Sequence, residues 1–209
     1  WRINSVGVAE MVEDAIPGGG IGRGAESGVS GATSELTAVN NTLYFVGNDG
    51  VNGSELWRIN SSGIAEMVED AIPGGGIATG IGSFANARPS NLINVSGTLY
   101  FEASDEATGR ELWRINSAGI AEMVEDAVPG NGIRPGTDTF GEVLRNATNV
   151  NGTLYFRMQP NLGSPAELWR VNSSGIAEAV PLSIPSGTYF PAGAGKNPTR
   201  LTGSGGTLF

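Results

Sequence analysis

The side chains here that could do chemistry are arginines, carboxylates, tyrosines and tryptophans, and they recur at one spacing. Arg2, Arg58, Arg114 and Arg170 stand 56 residues apart. Glu10, Glu66, Glu122 and Glu178 keep the same interval, each eight residues after its arginine. That offset suits two neighbouring strands of a hairpin, where opposite charges face each other across the pair. The expected role is a structural charge pair in each unit rather than a ligand anchor. Trp1, Trp57, Trp113 and Trp169 follow the same period. They are expected to wedge between adjacent sheets as core. Their functional alternative is an aromatic platform that stacks on the C–H faces of sugars.

Several chemistries are excluded by what is missing. The 209 residues contain neither histidine nor cysteine. Nucleophile systems built on histidine, thiolate chemistry and disulfides are therefore ruled out. A glycan-active enzyme would need two carboxylates converging in one pocket, about 5–10 Å apart. The repeated carboxylates occupy equivalent places in different units instead, so no catalytic residues are expected. The triplets Glu10/Glu13/Asp14, Glu66/Glu69/Asp70 and Glu122/Glu125/Asp126 alternate along their run, which suits a solvated strand edge. The oxygen-rich loop Asn48-Asp49-Gly50-Val51-Asn52-Gly53 has a partly acidic counterpart at Ser104 to Gly109. The third copy, Met158 to Ala166, carries no acid. A calcium role shared by all units is therefore not expected, nor is any metal or cofactor. Gly18-Gly19-Gly20 and Gly74-Gly75-Gly76 lack the Gly-Lys-Ser/Thr of a phosphate loop. The net charge of −9 argues against nucleic acid and anionic membrane surfaces. No apolar run reaches membrane-spanning length, so membrane insertion is not expected.

The elements that position these residues can be read from the repeat. Each unit holds four short strand-like runs, A to D, between turn signals. Strand A is Leu36 to Val39 or Leu92 to Val95, and strand B is Thr42 to Val46 or Thr98 to Ala103. Strand C is Glu55 to Ile59 or Glu111 to Ile115, and strand D is Ile64 to Glu69 or Ile120 to Glu125. Asn40-Asn41, Ser96-Gly97 and Asn151-Gly152 suit two-residue turns between A and B. A long Gly/Pro/Ser loop leads from D to the next A. The expected fold is all-β: a single β-propeller domain over residues 1–209, with four four-stranded blades. The strands at Leu201 to Phe209 and Trp1 to Glu13 would close the ring in one shared blade. The rival is an eight-bladed ring from two chains. Opening inside a repeat at Trp1 points to a processed chain or a piece of a longer one. Leu43, Phe45, Leu99, Phe101, Leu154 and Phe156 share one face of strand B by period-two alternation, and form the expected core.

Gly53-Ser54-Glu55-Leu56-Trp57, Gly109-Arg110-Glu111-Leu112-Trp113 and Ala166-Glu167-Leu168-Trp169 each follow a Leu-Tyr-Phe strand. These blocks resemble the ELWxxDGT repeat family over nearly the whole chain. The family's Asp-Gly-Thr turn is here Asn60-Ser61-Ser62-Gly63, Asn116-Ser117-Ala118-Gly119 and Asn172-Ser173-Ser174-Gly175. The resemblance implies propeller blades and a secreted or surface-associated bacterial setting. It carries no catalytic signature.

The expected function is a non-catalytic extracellular or cell-surface module for structure, adhesion or ligand binding. The alternatives are a multivalent lectin and, less well supported, a carboxylate-dependent glycan-active enzyme. Glycans and other surface proteins are the expected partners, with a homodimer if the ring has eight blades. Candidate ligand-binding residues are loop polars beside an exposed aromatic, a tyrosine on the opposite phase of strand B from the buried Leu and Phe. They are Tyr44, Asn48 and Asp49 in one unit, and Tyr100, Asp105 and Glu106 in the next. Tyrosine offers both a ring face and a hydroxyl.

Overall fold

Short runs rich in Leu, Tyr, Phe, Trp and Ile, punctuated by Asn, Ser and Gly, favour strands joined by tight turns. The computed structural model describes residues 2–3, 6–10, 12, 34–48, 53–70, 77, 88–104, 110–126, 133, 144–158, 166–181, 201–204 and 206–208. Every regular element among them is a strand. The first complete unit comprises β3 (Ser34–Val39), β4 (Thr42–Asn48), β5 (Ser54–Ile59) and β6 (Ala65–Met67). The second comprises β7 (Ser90–Val95), β8 (Thr98–Ser104), β9 (Arg110–Ile115) and β10 (Ala121–Met123). The third comprises β11 (Arg145–Val150), β12 (Thr153–Met158), β13 (Glu167–Val171) and β14 (Ala177–Ala179). Each unit is one antiparallel sheet in simple meander order.

The turns explain the meander. Asn40 and Asn41, Ser96 and Gly97, and Asn151 and Gly152 all have positive φ, as the tightest hairpins require. In the C-to-D turn, Asn60 Oδ1 accepts from the amides of Ser62 and Ile64, both at 3.0 Å. Asn116 and Asn172 repeat this arrangement. The first strand of each unit also carries a bulge. Its register shifts between Ser34 and Thr37, Ser90 and Ile93, and Arg145 and Thr148. The left-handed residue at each bulge is Glu35, Asn91 or Asn146.

In the first two units the two middle strands are buried on both faces, so consecutive sheets must stack, whereas in the third unit burial alternates along them. One face of the first unit presents Tyr44, Leu56, Val68 and Ile77. It packs on Leu99, Phe101, Trp113 and Ala121 of the second unit. Tyr100, Leu112, Val124 and Ile133 pack in the same way on Leu154, Phe156, Met158 and Ala177 of the third. Val12 covers Phe45, Trp57 and Ala65 on the far side of the first unit. Each joint therefore sets a forward face against the backward face of the next unit. The expected core residues Phe45, Leu99, Phe101, Leu154 and Phe156 are buried, and Leu43 is half-buried. Trp57 and Trp113 are buried, and Trp169 is half-buried. Trp1 lies outside the described residues.

The chain's first and last strands do not join. Strands β1 (Arg2–Ile3) and β2 (Ala9–Glu10) form one two-stranded sheet, and β15 (Gly203–Ser204) and β16 (Thr207–Leu208) form another. The shared closing blade expected from the repeat is thus not formed among the described residues. Two-residue strands offer few ladder bonds, and Trp1 and Phe209 lie outside the described residues.

Two buried carboxylates bind backbone amides 22 residues further along the chain. Glu55 Oε2 accepts from the amide of Ile77 at 3.1 Å, and Glu111 Oε2 accepts from the amide of Ile133 at 2.9 Å. Both glutamates are fully enclosed. Their third copy differs: Glu167 is exposed and accepts from Trp169 Nε1 at 3.2 Å. The second unit adds a buried ion pair, Arg110 Nε to Glu102 Oε2 at 2.6 Å. The same guanidinium donates to Ser90 Oγ and to the Arg88 carbonyl, and Glu102 Oε1 accepts from the Leu144 amide. The corresponding positions are Val46 and Ser54 in the first unit and Arg157 and Ala166 in the third.

Two stability measurements check this packing. Phe101→Ala, at 0% exposure, is expected to cost about 3–5 kcal/mol by opening a cavity, read as a lowered thermal midpoint. A near-wild-type midpoint would contradict the inter-sheet core. Glu111→Ala strands the Ile133 amide and is expected to cost at least about 1–3 kcal/mol. Glu167→Ala, on the surface, is expected to stay within about 0.5 kcal/mol. Equal costs at the two positions would remove the anchoring role.

Candidate functional site

Strand pairing lines up one polar row per unit. Tyr44 faces Arg58, which faces Glu66. Tyr100, Arg114 and Glu122 form the second row, and Tyr155, Arg170 and Glu178 the third. Charge closes each row. Arg58 Nε lies 2.7 Å from Glu66 Oε1, and Arg114 Nε lies 2.7 Å from Glu122 Oε1. Arg170 Nη2 lies 2.7 Å from Glu178 Oε1. An asparagine completes the set, with Asn60 Nδ2 donating to Glu66 Oε2 at 2.8 Å. Asn116 and Asn172 do the same for Glu122 and Glu178. The charge pair expected across the C–D hairpin is therefore present in all three complete units. Arg2 and Glu10 are register partners in the first hairpin.

The arginines also reach forward. Arg58 Nη1 donates to the Gly119 carbonyl at 2.9 Å, 61 residues on. Arg114 Nη1 donates to the Gly175 carbonyl at 3.3 Å, again 61 residues on. Both glycines have positive φ, and a Cβ on either would collide with the incoming guanidinium. These are two positions where glycine is required, by backbone conformation and by close approach. Around the A–B turns, Asn40 Nδ2 donates to the Gly97 carbonyl at 2.7 Å, and Asn94 Nδ2 donates to the Ala38 carbonyl at 2.8 Å.

Two adjoining clefts open above these rows. One, of about 440 Å³, runs between the first and second units. Its polar lining includes Asn40, Thr42 and Tyr44 from one side, and Thr98, Asn116 and Ser117 from the other. The second, of about 420 Å³, shares Thr98, Ile115, Asn116 and Ser117 and adds Tyr100, Arg114 and Glu122. Burial pushes the Tyr100 phenol above its ordinary value, against the pull of Arg114. The lining is thus hydroxyl and amide with one neutralised ion pair. It suits a neutral hydroxylated ligand better than a strongly charged one.

The sequence-derived site residues divide. Tyr44 and Tyr100 each line a cleft, but at 7% and 8% exposure they are largely built into the core. The expectation of an exposed aromatic is corrected, because stacked sheets bury both faces of strand B. Asn48 is half-buried at the far end of β4, four residues from Tyr44, and lines neither of the two clefts. Asp49, Asp105 and Glu106 lie outside the described residues. The structure brings forward Thr42, Thr98, Asn116 and Ser117, which sequence reasoning treated as turn or strand residues. Their signal was the recurrence of Thr before Leu-Tyr and of Asn-Ser in the C–D turn. No group of three or more potential metal ligands converges among the described residues. No family model matches the chain, and neither a curated protein nor a solved structure does.

The charge rows set an acid limit. The hydrogen bond from Asn60 and that from Arg58 hold the Glu66 carboxyl below its ordinary 4.5. Glu122 is lowered despite its burial, because Asn116 and Arg114 outweigh it. Asn172 and Arg170 lower Glu178. A carboxyl lowered by folding contributes stability above its unfolded value and loses it as pH falls through the folded one. The melting temperature is therefore expected to hold from neutrality to about pH 5 and to fall below about 4.5. Replacing Glu66, Glu122 and Glu178 together with glutamine is expected to flatten that fall. An unchanged acid slope would show that these pairs are not its source.

Proposed function

We propose that this chain is a non-catalytic recognition and scaffold module whose units are blades of the propeller type, working outside the cell or on its surface. The carrying observation is a pair of adjoining clefts, one between the first and second units and one on the second, lined by Thr42, Tyr44, Thr98, Asn116 and Ser117. The charged groups nearest them are already committed. Glu66, Glu122 and Glu178 each bind an arginine and an asparagine, and Arg58 and Arg114 also hold the next unit. Carboxylates spent on structure favour binding over hydrolysis. Face-to-face stacking of successive four-stranded meanders supports the blade reading. The extracellular setting rests on the family resemblance.

Within this reading, a lectin is the specific form best supported. Hydroxyl and amide groups at the two adjoining clefts can exchange hydrogen bonds with the hydroxyls of a neutral glycan. Weak sites that recur along one surface gain by multivalency.

Titration calorimetry against neutral oligosaccharides, free and displayed on a polymer, tests this function. At most three modest sites are expected, with tighter apparent binding for the polymer. Tyr44→Phe and Tyr100→Phe keep the buried ring and remove only the hydroxyl. Each is expected to weaken binding about 5–10-fold, the worth of one hydrogen bond. A single tight site, or binding indifferent to both changes, would remove the clefts from recognition.

A further inference from the structure

The joint between units has a donor half and an acceptor half. The donor half is a forward face with its tyrosine and arginine. The acceptor half is the C–D turn of the following unit, whose glycine carbonyl receives the guanidinium. Among the described residues this joint is made twice, by Arg58 with Gly119 and by Arg114 with Gly175.

Among the described residues, one copy of each half lacks its counterpart, although β15 of the same chain meets β11 at the edge of the third unit. On the third unit, Arg170 is 44% exposed, against 29% for both Arg58 and Arg114. It binds Glu178 in its own sheet, and no carbonyl of another unit among the described residues accepts from it. Tyr155 on the same face is half-buried, whereas Tyr44 and Tyr100 are buried. Near the other end of the chain, Gly7 lies in the β1–β2 hairpin with φ +82°, the conformation of Gly119 and Gly175. A Cβ on Gly7 would meet nothing within 4 Å, where Gly119 and Gly175 have an arginine. Val6 and Val8 beside it are 78% and 57% exposed, and these apolar flanks would be covered in a joint.

We infer that a second copy of this chain docks its Gly7 hairpin on the Arg170 face. The result is a head-to-tail assembly that repeats the chain's own internal joint. The surfaces are complementary because each already has a working counterpart inside the molecule. The contact is heterologous, so it propagates or closes into a ring of more than one chain. It does not depend on what the clefts bind.

Sedimentation velocity of the 21.5 kDa chain over a wide concentration range tests the assembly. Wild type is expected to gain mass with concentration, reaching two copies or more. Gly7→Asn keeps the left-handed turn, which asparagine tolerates, but places side-chain atoms where the guanidinium must enter. Arg170→Ala removes the donor. Each is expected to weaken association at least about tenfold, the scale of one charge-assisted hydrogen bond. A mixture of the two variants retains one good Arg170 and one good Gly7. It is expected to recover a dimer and stop there. Wild type that stays monomeric overturns the proposal, including by closing the same contact within one chain. So does association that survives both variants, or a mixture that fails to recover.

Discussion

A forward-reaching guanidinium holds this molecule's geometry. Arg58 binds Glu66 on its own sheet and the Gly119 carbonyl on the next. One planar, multi-donor group thus fixes a strand pair and a sheet-to-sheet distance together. Much else follows from that demand. The carboxylate must sit on the adjacent strand, Asn60 must turn its amide toward it, and the receiving turn must carry glycine. Beneath this polar clamp the apolar layer can be generic. Tyr44 and Leu56 need only meet Leu99, Phe101 and Trp113 at native packing density. The clefts are the space left above the clamp, so their lining is inherited from the residues that build it.

Much of the fold was legible because periods of two and of 56 residues act together. The Trp-Arg-Ile/Val-Asn block located strand C, and its glutamate eight residues on located strand D. Asn-Asn, Ser-Gly and Asn-Gly announced turns that do have positive φ. The face carrying Phe101 and Phe156 was recovered by alternation alone. What alternation missed was the other face. Tyr44 and Tyr100 fall on the opposite phase and were read as open to ligand, yet they are also buried. Alternation tells the two faces of a strand apart, but it does not say whether both are covered. A Leu-Tyr-Phe run without a polar break was the signal that both would be.

The long-range polar contacts were not legible. Nothing local to Glu55 announces an amide 22 residues away, because the partner is a backbone group that carries no residue identity. The third unit makes a different bond at this position. Glu167 turns outward, and its carboxylate accepts instead from the indole of Trp169, two residues along. The same Glu-x-Trp spelling thus supports two different bonds. The second unit departs in the other direction. Arg110 and Glu102 form a buried pair in a place where its neighbours carry Val46 with Ser54 and Arg157 with Ala166. Burying such a pair costs desolvation that good geometry must offset, and removing either partner alone strands the other charge.

That private pair bears on how such an array can change length. A joint that sets one face against the opposite face of the next unit is indifferent to how often it is used. Gene duplication could therefore copy a whole unit without remodelling any surface. The second unit is the exception. Its guanidinium leans on Ser90 and the Arg88 carbonyl, and its carboxylate takes the Leu144 amide of the unit that follows. A unit carrying Val46 or Arg157 in place of Glu102 would leave the Leu144 amide without its carboxylate acceptor. The array is therefore modular at its rims and addressed in its middle, which discourages recombination from reordering units that otherwise look alike.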